Sequence, residues 1–179
     1  METDVRFTHQ TLVEQCKTGN PNSQYELYGL YVDAMFNVGL RFLGNKEDAE
    51  DIVQDSFIDA FKKLHTFKYE SSFGAWLKRI VINKSINHLK VKKIPLVAME
   101  DHEFRLAEDT PTEAEAMDLK KVQIGIAQLP EGYRQIINLY LIEGYDHVEI
   151  GEILDISINT SKSQYHRAKK KLIQIINEL

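Results

Sequence analysis

The chain has 179 residues, of which 43% are apolar and 27% charged, with a formal net charge of −5. That composition supports one ordinary domain or two small ones, each with a packed core, and no apolar run approaches the roughly 20 residues that cross a bilayer. The N-terminus, METDVRFTHQ, has neither the apolar segment nor the cleavage pattern of a signal peptide, and the single cysteine, Cys16, excludes an internal disulfide, so a reduced, cytoplasmic setting is expected.

In chain order, every segment reads as helix, because apolar residues recur at spacings of three and four and start signals repeat. Asn20-Pro21 is a cap followed by proline at the first helical position. Asn45 with Asp48 caps the next helix, and Ser71 or Ser72 opens a long one that runs through SSFGAWLKRIVINKSINHLKVKK. Thr110-Pro111-Thr112-Glu113 has capping-box spacing, Pro130 opens a further helix, and Asp146 with Glu149 opens a short one. No segment alternates like a strand between tight turns. The expected fold is all-α: two small helical domains, residues 1–93 and 119–179, joined by an acidic linker over 94–118. Within that linker periodicity is weakest between about Ile94 and Thr110, where Pro95 breaks it.

Charge is distributed unevenly. Residues 94–118 carry Glu100, Asp101, Glu103, Glu108, Asp109, Glu113, Glu115 and Asp118 against Arg105 alone, whereas 76–93 carry Lys78, Arg79, Lys84, Lys90, Lys92 and Lys93 with no acid. From Ile156 to Asn177 there is again no acid, while Lys162, Arg167, Lys169, Lys170 and Lys171 are basic. Two cationic surfaces in an acidic chain point to a polyanion held at two places.

The first basic segment has Trp76, Arg79, Asn83, Asn87 and Lys90 at spacings of three and four, hence on one face of a helix. Ile82, Ile86 and Leu89 form a second strip, and Leu77, Ile80 and Val81 a third. Cations that follow a backbone, amides that bond base edges and a ring that stacks on a base suit single-stranded nucleic acid. The preceding loop, Phe67 to Ser72 and including Tyr69, has the aromatic and small polar residues to pocket an unstacked base. Core packing of Phe67, Phe73 or Trp76 is the competing explanation. Upstream, NKEDAEDIVQDSFIDAFKKLHTF sets acids on one side of a helix and Ile52, Val53, Phe57, Ile58 and Phe61 toward a core.

The C-terminal segment YDHVEIGEILDISINTSKSQYHRAKKKLIQIINEL reads as a short helix, a tight turn and a longer basic helix. Val148, Ile150, Ile153 and Leu154 are the expected buried positions of the first, with Gly151 admitting a close partner helix. Tyr165, Ala168, Leu172, Ile175, Ile176 and Leu179 line one face of the second, opposite Ser163, His166, Arg167 and Lys170. This is the helix-turn-helix layout, whose second helix enters the major groove. Catalytic signals are lacking: there is no phosphate-binding glycine loop, nucleophile elbow or HExxH. The six histidines and Cys16 lack ligand spacing, so neither a metal nor a cofactor is expected, and the chain does not read as an enzyme.

At LPEGYRQIINLYLIEGYDHVEIGEILDISINTSKSQYHRAKKKL the chain resembles the promoter-reading C-terminal domain of bacterial RNA polymerase sigma factors of the extracytoplasmic-function type. The resemblance extends independently over about residues 20–93. It implies that Asp48, Asp51, Gln54, Asp55 and Phe57 hold core polymerase at the β′ clamp, with the C-terminal domain on the β flap. It implies a minus-ten site of Phe67, Tyr69, Ser72, Trp76, Arg79, Asn83, Asn87 and Lys90. A minus-thirty-five site of Thr160, Lys162, Ser163, Gln164, His166, Arg167 and Lys170 follows in the same way. The implied partners are core polymerase, promoter DNA as duplex and non-template strand, and an anti-sigma factor or other recruiting protein, with no membrane insertion. The acidic linker would thread the polymerase near its active-site cleft.

Several positions depart from the family pattern. Gln164 replaces a frequent arginine and Tyr165 a leucine, Asn87 and Lys90 replace Asp and Arg, and Asp155 stands where the turn usually has glycine. Lys90 keeps the charge of arginine but loses the bidentate fork, while Gln164 and Asp155 predict weak or unusual minus-thirty-five reading. A free-standing helix-turn-helix regulator, binding duplex without polymerase, is the alternative function.

Overall fold

The computed structural model describes residues 5–92 and 113–179, and the chain divides into two compact units, Met1–Val97 and Ala98–Leu179. No strand occurs among the described residues. The expected Thr110 capping box and the weakly periodic part of the linker lie outside the described residues.

In the first unit, α1 (Gln10–Lys17), α2 (Pro21–Leu43), α3 (Lys46–Lys63) and α4 (Phe73–Lys92) form a helical bundle in which α2, α3 and α4 pack on one another and α1 lies on α2. The starts follow the sequence chemistry. The Asn20 side chain accepts from the amides of Asn22 and Ser23 at 3.0 and 3.2 Å, with Pro21 following. Asn45 accepts from Asp48 N at 3.0 Å, and Ser72 Oγ, rather than Ser71, accepts from Ala75 N at 3.2 Å to open α4. Between α2 and α3 the chain reverses through Gly44, whose φ of 69° is left-handed and whose amide bonds Leu40 O at 2.8 Å.

The first core is built from Leu27, Phe42, Phe73, Leu77, Ile82 and Ile86, all buried. Each such side chain contributes roughly 1.5–3 kcal/mol by leaving water. A smaller cluster of Leu43, Ala49, Ile52 and Leu89 closes one end, where Phe36 and Leu40 pack against it. Burial of Leu77, Val81, Ile82, Ser85, Ile86 and Leu89 leaves Arg79, Asn83, Asn87 and Lys90 on the outer side of α4.

The second unit contains α5 (Glu113–Ala127), α6 (Glu131–Ile137), α7 (His147–Leu154) and α8 (Ile158–Glu178), with α8 packed on α5, α6 and α7. Because α5 begins at Glu113, the last residues of the expected linker, 113–118, have helical backbone. The helix after Pro130 does not end as a plain α-helix: Asn138–Ile142 widens into a π turn. Ile136 and Ile137 at the end of α6 and Asn138 and Leu139 in the π turn are buried in succession, whereas Tyr140, Leu141 and Ile142 are exposed. Arg134 is largely buried and donates from Nη1 to Ala127 O at 3.1 Å, occupying a terminal carbonyl of α5. Burial lowers its pKa, which the neighbouring Glu131 carboxylate partly offsets.

The helix-turn-helix is formed by α7 and α8. Asp146 accepts from Val148 N at 2.7 Å and Glu149 N at 2.9 Å, while Glu149 Oε2 accepts from Asp146 N at 3.0 Å, so the expected reciprocal cap is present. Asp155 adopts φ 59° and ψ 52°, supplying the left-handed turn from a non-glycine residue. Ser157 then caps α8, accepting from Thr160 N at 3.0 Å. Three burial assignments need correction. On α3, Ile58 is 49% exposed, outside the buried strip of Ile52, Val53 and Phe57. Val148 is 50% exposed and Leu179 47% exposed, because the hydrophobic seam runs through Ile150 on α7 and through Ser161, Ala168, Leu172 and Ile175 on α8. Gly151 admits the turn and the start of α8: a Cβ there would lie 2.9 Å from the Ile156 carbonyl oxygen and 3.9 Å from the Ile158 nitrogen.

Candidate nucleic-acid interfaces and docking face

On α3, Asp51, Gln54 and Asp55 are exposed, as a docking face requires. Asp48 is only partly exposed, with its Oδ1 3.3 Å from His88 Nε2 on α4. Phe57 does not belong to the outer face: it is 2% exposed, with its ring centroid 4.7 Å from that of Tyr28 and 6.0 Å from that of Phe61. It packs beneath the exposed acids as part of the core. A groove of about 410 Å³ beside this face is lined by Tyr28, Phe36, Val53 and Gln54 together with Lys46 and Glu50.

Further along α3, Asp59 meets Lys84 of α4, Oδ2 to Nζ, at 3.0 Å. The Lys84 hydrogen bond leads the causes that hold the Asp59 carboxyl below its usual value. This pair ties the acidic helix to the basic one. Lys84 is thereby removed from the set of free cations on α4.

On α4 the predicted strip assembles. Arg79, Asn83, Asn87 and Lys90 are exposed or partly exposed in one line, and none of them has a hydrogen-bond or ion-pair partner among the described residues. Trp76 is half-buried at the head of the strip, its ring 5.2 Å from Phe67 and 6.0 Å from Phe73. Phe67 is 4% exposed and Phe73 0%, so these two rings are core and floor, not contact groups. Ser72 is occupied as the α4 cap.

Tyr69 is half-buried and has a φ of 59°, a left-handed backbone unusual for an aromatic residue. Its hydroxyl donates to Glu14 Oε1 at 2.6 Å. Burial first, and then that hydrogen bond, push the phenol pKa up. Glu14 and Lys17 approach this loop from α1, and neither carries a motif that marks it in the sequence.

On α8, Lys162, Ser163, His166, Arg167 and Lys170 are exposed. Lys162, His166, Arg167 and Lys170 have no hydrogen-bond or ion-pair partner among the described residues, whereas Ser163 Oγ donates to Thr160 O at 3.0 Å. Thr160 and Gln164 are half-buried, and the Thr160 hydroxyl lies 2.8 Å from that of Ser157 in the helix cap. Tyr165 packs inward against Tyr140 with ring centroids 4.3 Å apart, and His147 stacks on Tyr140 at 4.7 Å. The His147 Nδ1 atom is 2.9 Å from the hydroxyl of buried Ser161. This aromatic pile braces α8 against α7 and explains why a large residue is accommodated at 165. Among the described residues, no group of three or more His, Cys, Asp or Glu is placed to hold a metal ion, and no helix is long and apolar enough to cross a membrane.

Residues 27–93 match the family Sigma-70 region 2, and residues 122–172 match Sigma-70, region 4. The two matches fall on α2–α4 and on α5–α8 and together take in about two-thirds of the chain. The ECF RNA polymerase sigma factor SigW of Bacillus subtilis is 29% identical over 181 residues, spanning 93% of this chain and 96% of the relative. The ECF RNA polymerase sigma-E factor of Haemophilus influenzae is 28% identical over 186 residues, spanning 97% and 98%. Among solved structures, CnrH in complex with the cytosolic domain of CnrY aligns with a TM-score of 0.56 at 25% identity over 98% of this chain and 99% of that one. RpoE of Bartonella quintana, solved with the anti-sigma factor NepR, has the same fold, with a TM-score of 0.61 at 22% identity over 86% and 96% of the two chains.

An acidic helix beside an open amide-and-cation face, followed by a helix-turn-helix, with sigma-70 regions 2 and 4 in that order, defines a sigma-70 transcription initiation factor. Within that class, the chain belongs to the extracytoplasmic-function (ECF) family of RNA polymerase sigma factors.

Proposed function

We propose that the first unit docks on core RNA polymerase through the exposed acids of α3, Asp51 and Asp55, with Gln54 beside them, on the β′ clamp. Its α4 strip then receives the unpaired non-template strand of the minus-ten element. Arg79 and Lys90 follow phosphates there, Asn83 and Asn87 bond base edges, and Trp76 offers a stacking surface. The second unit lays α8 along the minus-thirty-five duplex, where Lys162, Arg167 and Lys170 neutralise phosphate and His166 and Gln164 face the groove. That unit also rests on the β flap, and the acidic linker, taken as 94–118 between domains 1–93 and 119–179, threads the enzyme. The protein works in the cytoplasm and performs no chemistry of its own; polymerisation belongs to its partner.

The observation that carries this reading is the unpartnered line Arg79–Asn83–Asn87–Lys90 on the unit that also displays the acidic α3 face. A regulator that binds duplex through its helix-turn-helix alone needs neither surface. CnrH and RpoE were each solved with a protein partner, and a recruiting or inhibitory protein of that kind fits this chain, whose weakened minus-thirty-five set leaves room for help in promoter choice. The test is competition binding by the holoenzyme: with core polymerase present, DNA bearing an unpaired minus-ten strand is expected to outcompete the fully paired duplex. Equal affinity for both, unaffected by core enzyme, would favour the free-standing regulator.

A further inference from the structure

The loop 67–72 is fastened from one side by a device that the promoter-reading surface does not include. Glu14 and Lys17, both on α1, reach it together. Lys17 Nζ donates to the Phe67 carbonyl at 3.2 Å and to Glu14 Oε1 at 2.9 Å. Glu14 Oε1 also accepts the Tyr69 hydroxyl at 2.6 Å. The same ammonium lies 4.9 Å from the Tyr69 ring centroid and 5.9 Å from that of Phe67. Phe7 covers Tyr69 in a stacked arrangement, centroids 5.7 Å apart and planes 30° from parallel.

These contacts act where the loop needs them. Tyr69 holds a left-handed φ of 59°, a conformation that costs an ordinary side chain free energy and persists only where surroundings over-determine it. One anchor fixes the backbone at Phe67 and the other fixes the side chain at Tyr69, while Ser72 pins the far end as the α4 cap. The Lys17 side chain is 20% exposed and that of Glu14 51%, so the bond to the Phe67 carbonyl is partly sheltered from water while the Glu14 bonds face solvent. Phe67 in turn supports Trp76, at the head of the single-strand strip.

We propose that α1 is a positioning clamp for the minus-ten loop: Glu14 and Lys17 hold Phe67 and Tyr69 in the shape that accepts an unstacked base, and so set base discrimination without touching DNA. This inference rests on the reading that loop 67–72 receives a base from the non-template strand. A preformed pocket discriminates because the wrong base meets fixed groups; a loop free to rearrange accommodates it.

The experiment uses holoenzyme and a pool of fork-junction DNAs whose unpaired minus-ten strand is randomised, with bound and unbound fractions sequenced. Wild-type protein is expected to favour particular bases at the strand position that the loop receives. Glu14→Gln, nearly isosteric, and Lys17→Met should flatten that preference about three- to tenfold, the range that one or two charge-assisted bonds supply. Tyr69→Phe should flatten the same position, and the Glu14→Gln/Tyr69→Phe pair should do no more than either alone. Preference at other positions and affinity for core enzyme should stay unchanged. If wild type selects a base that depends on Tyr69 and both α1 variants keep that selection in full, the clamp is refuted while the loop reading stands. If wild type shows no selection, or selection is indifferent to Tyr69, the loop reading itself fails.

Discussion

Replacing Gly151 by alanine puts a methyl group 2.9 Å from the carbonyl oxygen of Ile156. Contacts that short are not found between real Cβ atoms and backbone oxygen, so something must move. The Ile156 peptide has little freedom to do so. Its amide donates to Gly151 O at 3.0 Å, Asp155 before it is locked in the left-handed region, and Ser157 after it caps α8. Alanine in a helix gains up to about 1 kcal/mol over glycine, but overpacking against fixed backbone costs about 1–3 kcal/mol. Because this backbone cannot shift, the upper part of that range, about 2–3 kcal/mol, applies, and the net expected loss is about 1–2 kcal/mol. For a unit of this size that lowers the melting temperature by roughly 5–15 °C.

Gly29 supplies the control, because it lies within α2 and a Cβ added there would meet nothing within 4 Å. Gly29→Ala should gain about 0.5–1 kcal/mol in the first unit. Calorimetry on both variants, with hydrogen exchange to assign each change to its unit, reads the contrast. An unchanged or raised melting temperature for Gly151→Ala would refute the turn geometry, and with it the placement of α8.

Other predictions follow from the exposed faces and from the loop. Asp55→Arg, on the outer face of α3, should weaken binding to core polymerase by about tenfold or more at low salt, with the defect shrinking as ionic strength rises; fluorescence anisotropy with labelled protein measures it. Arg167→Ala or Lys170→Ala should each lower the salt slope of duplex binding by about one and weaken all sequences alike, because a phosphate contact carries no base information. The Glu14 carboxyl is held below its ordinary value of 4.5 by the Tyr69 and then the Lys17 hydrogen bonds. The stabilisation it gives the loop is therefore complete above the ordinary value and lost as pH falls through the lower folded one. In an acid titration by NMR the Tyr69 ring signals should move below pH 4.5 in wild type and stay still in Glu14→Gln.

Much of the scaffold is legible in the residues. Asn20-Pro21, Asn45 and the Asp146–Glu149 pair each form the cap that their spacing predicts, since capping is local chemistry between residues two or three apart. The α4 strip is legible for the same reason: Arg79, Asn83, Asn87 and Lys90 share a face by helix geometry alone. Periodicity places Phe57 toward a core, and it is buried there although the resemblance implies a contact role; for Phe67, where contact and core packing both fit the sequence, the structure gives core. Val148 departs from expectation because a short helix presents two candidate apolar sides, and only packing against α8 chooses between them. The π turn at Asn138–Ile142 has no cap or breaker to announce it. The clamp is hidden most deeply: Glu14 and Tyr69 are 55 residues apart, and nothing in either local segment points to the other.

The central claim is that α3 brings polymerase and α4 takes the opened strand. Promoter opening tests it most directly, followed with a fluorescent base analogue in the minus-ten element of a promoter chosen by the holoenzyme. Opening is expected only when this protein and core polymerase are both present. It should fail in Asn83→Ala with polymerase binding intact, and in Asp55→Arg through loss of that binding. Opening that survives both substitutions, or duplex binding by the protein alone with no gain from core enzyme, would contradict it.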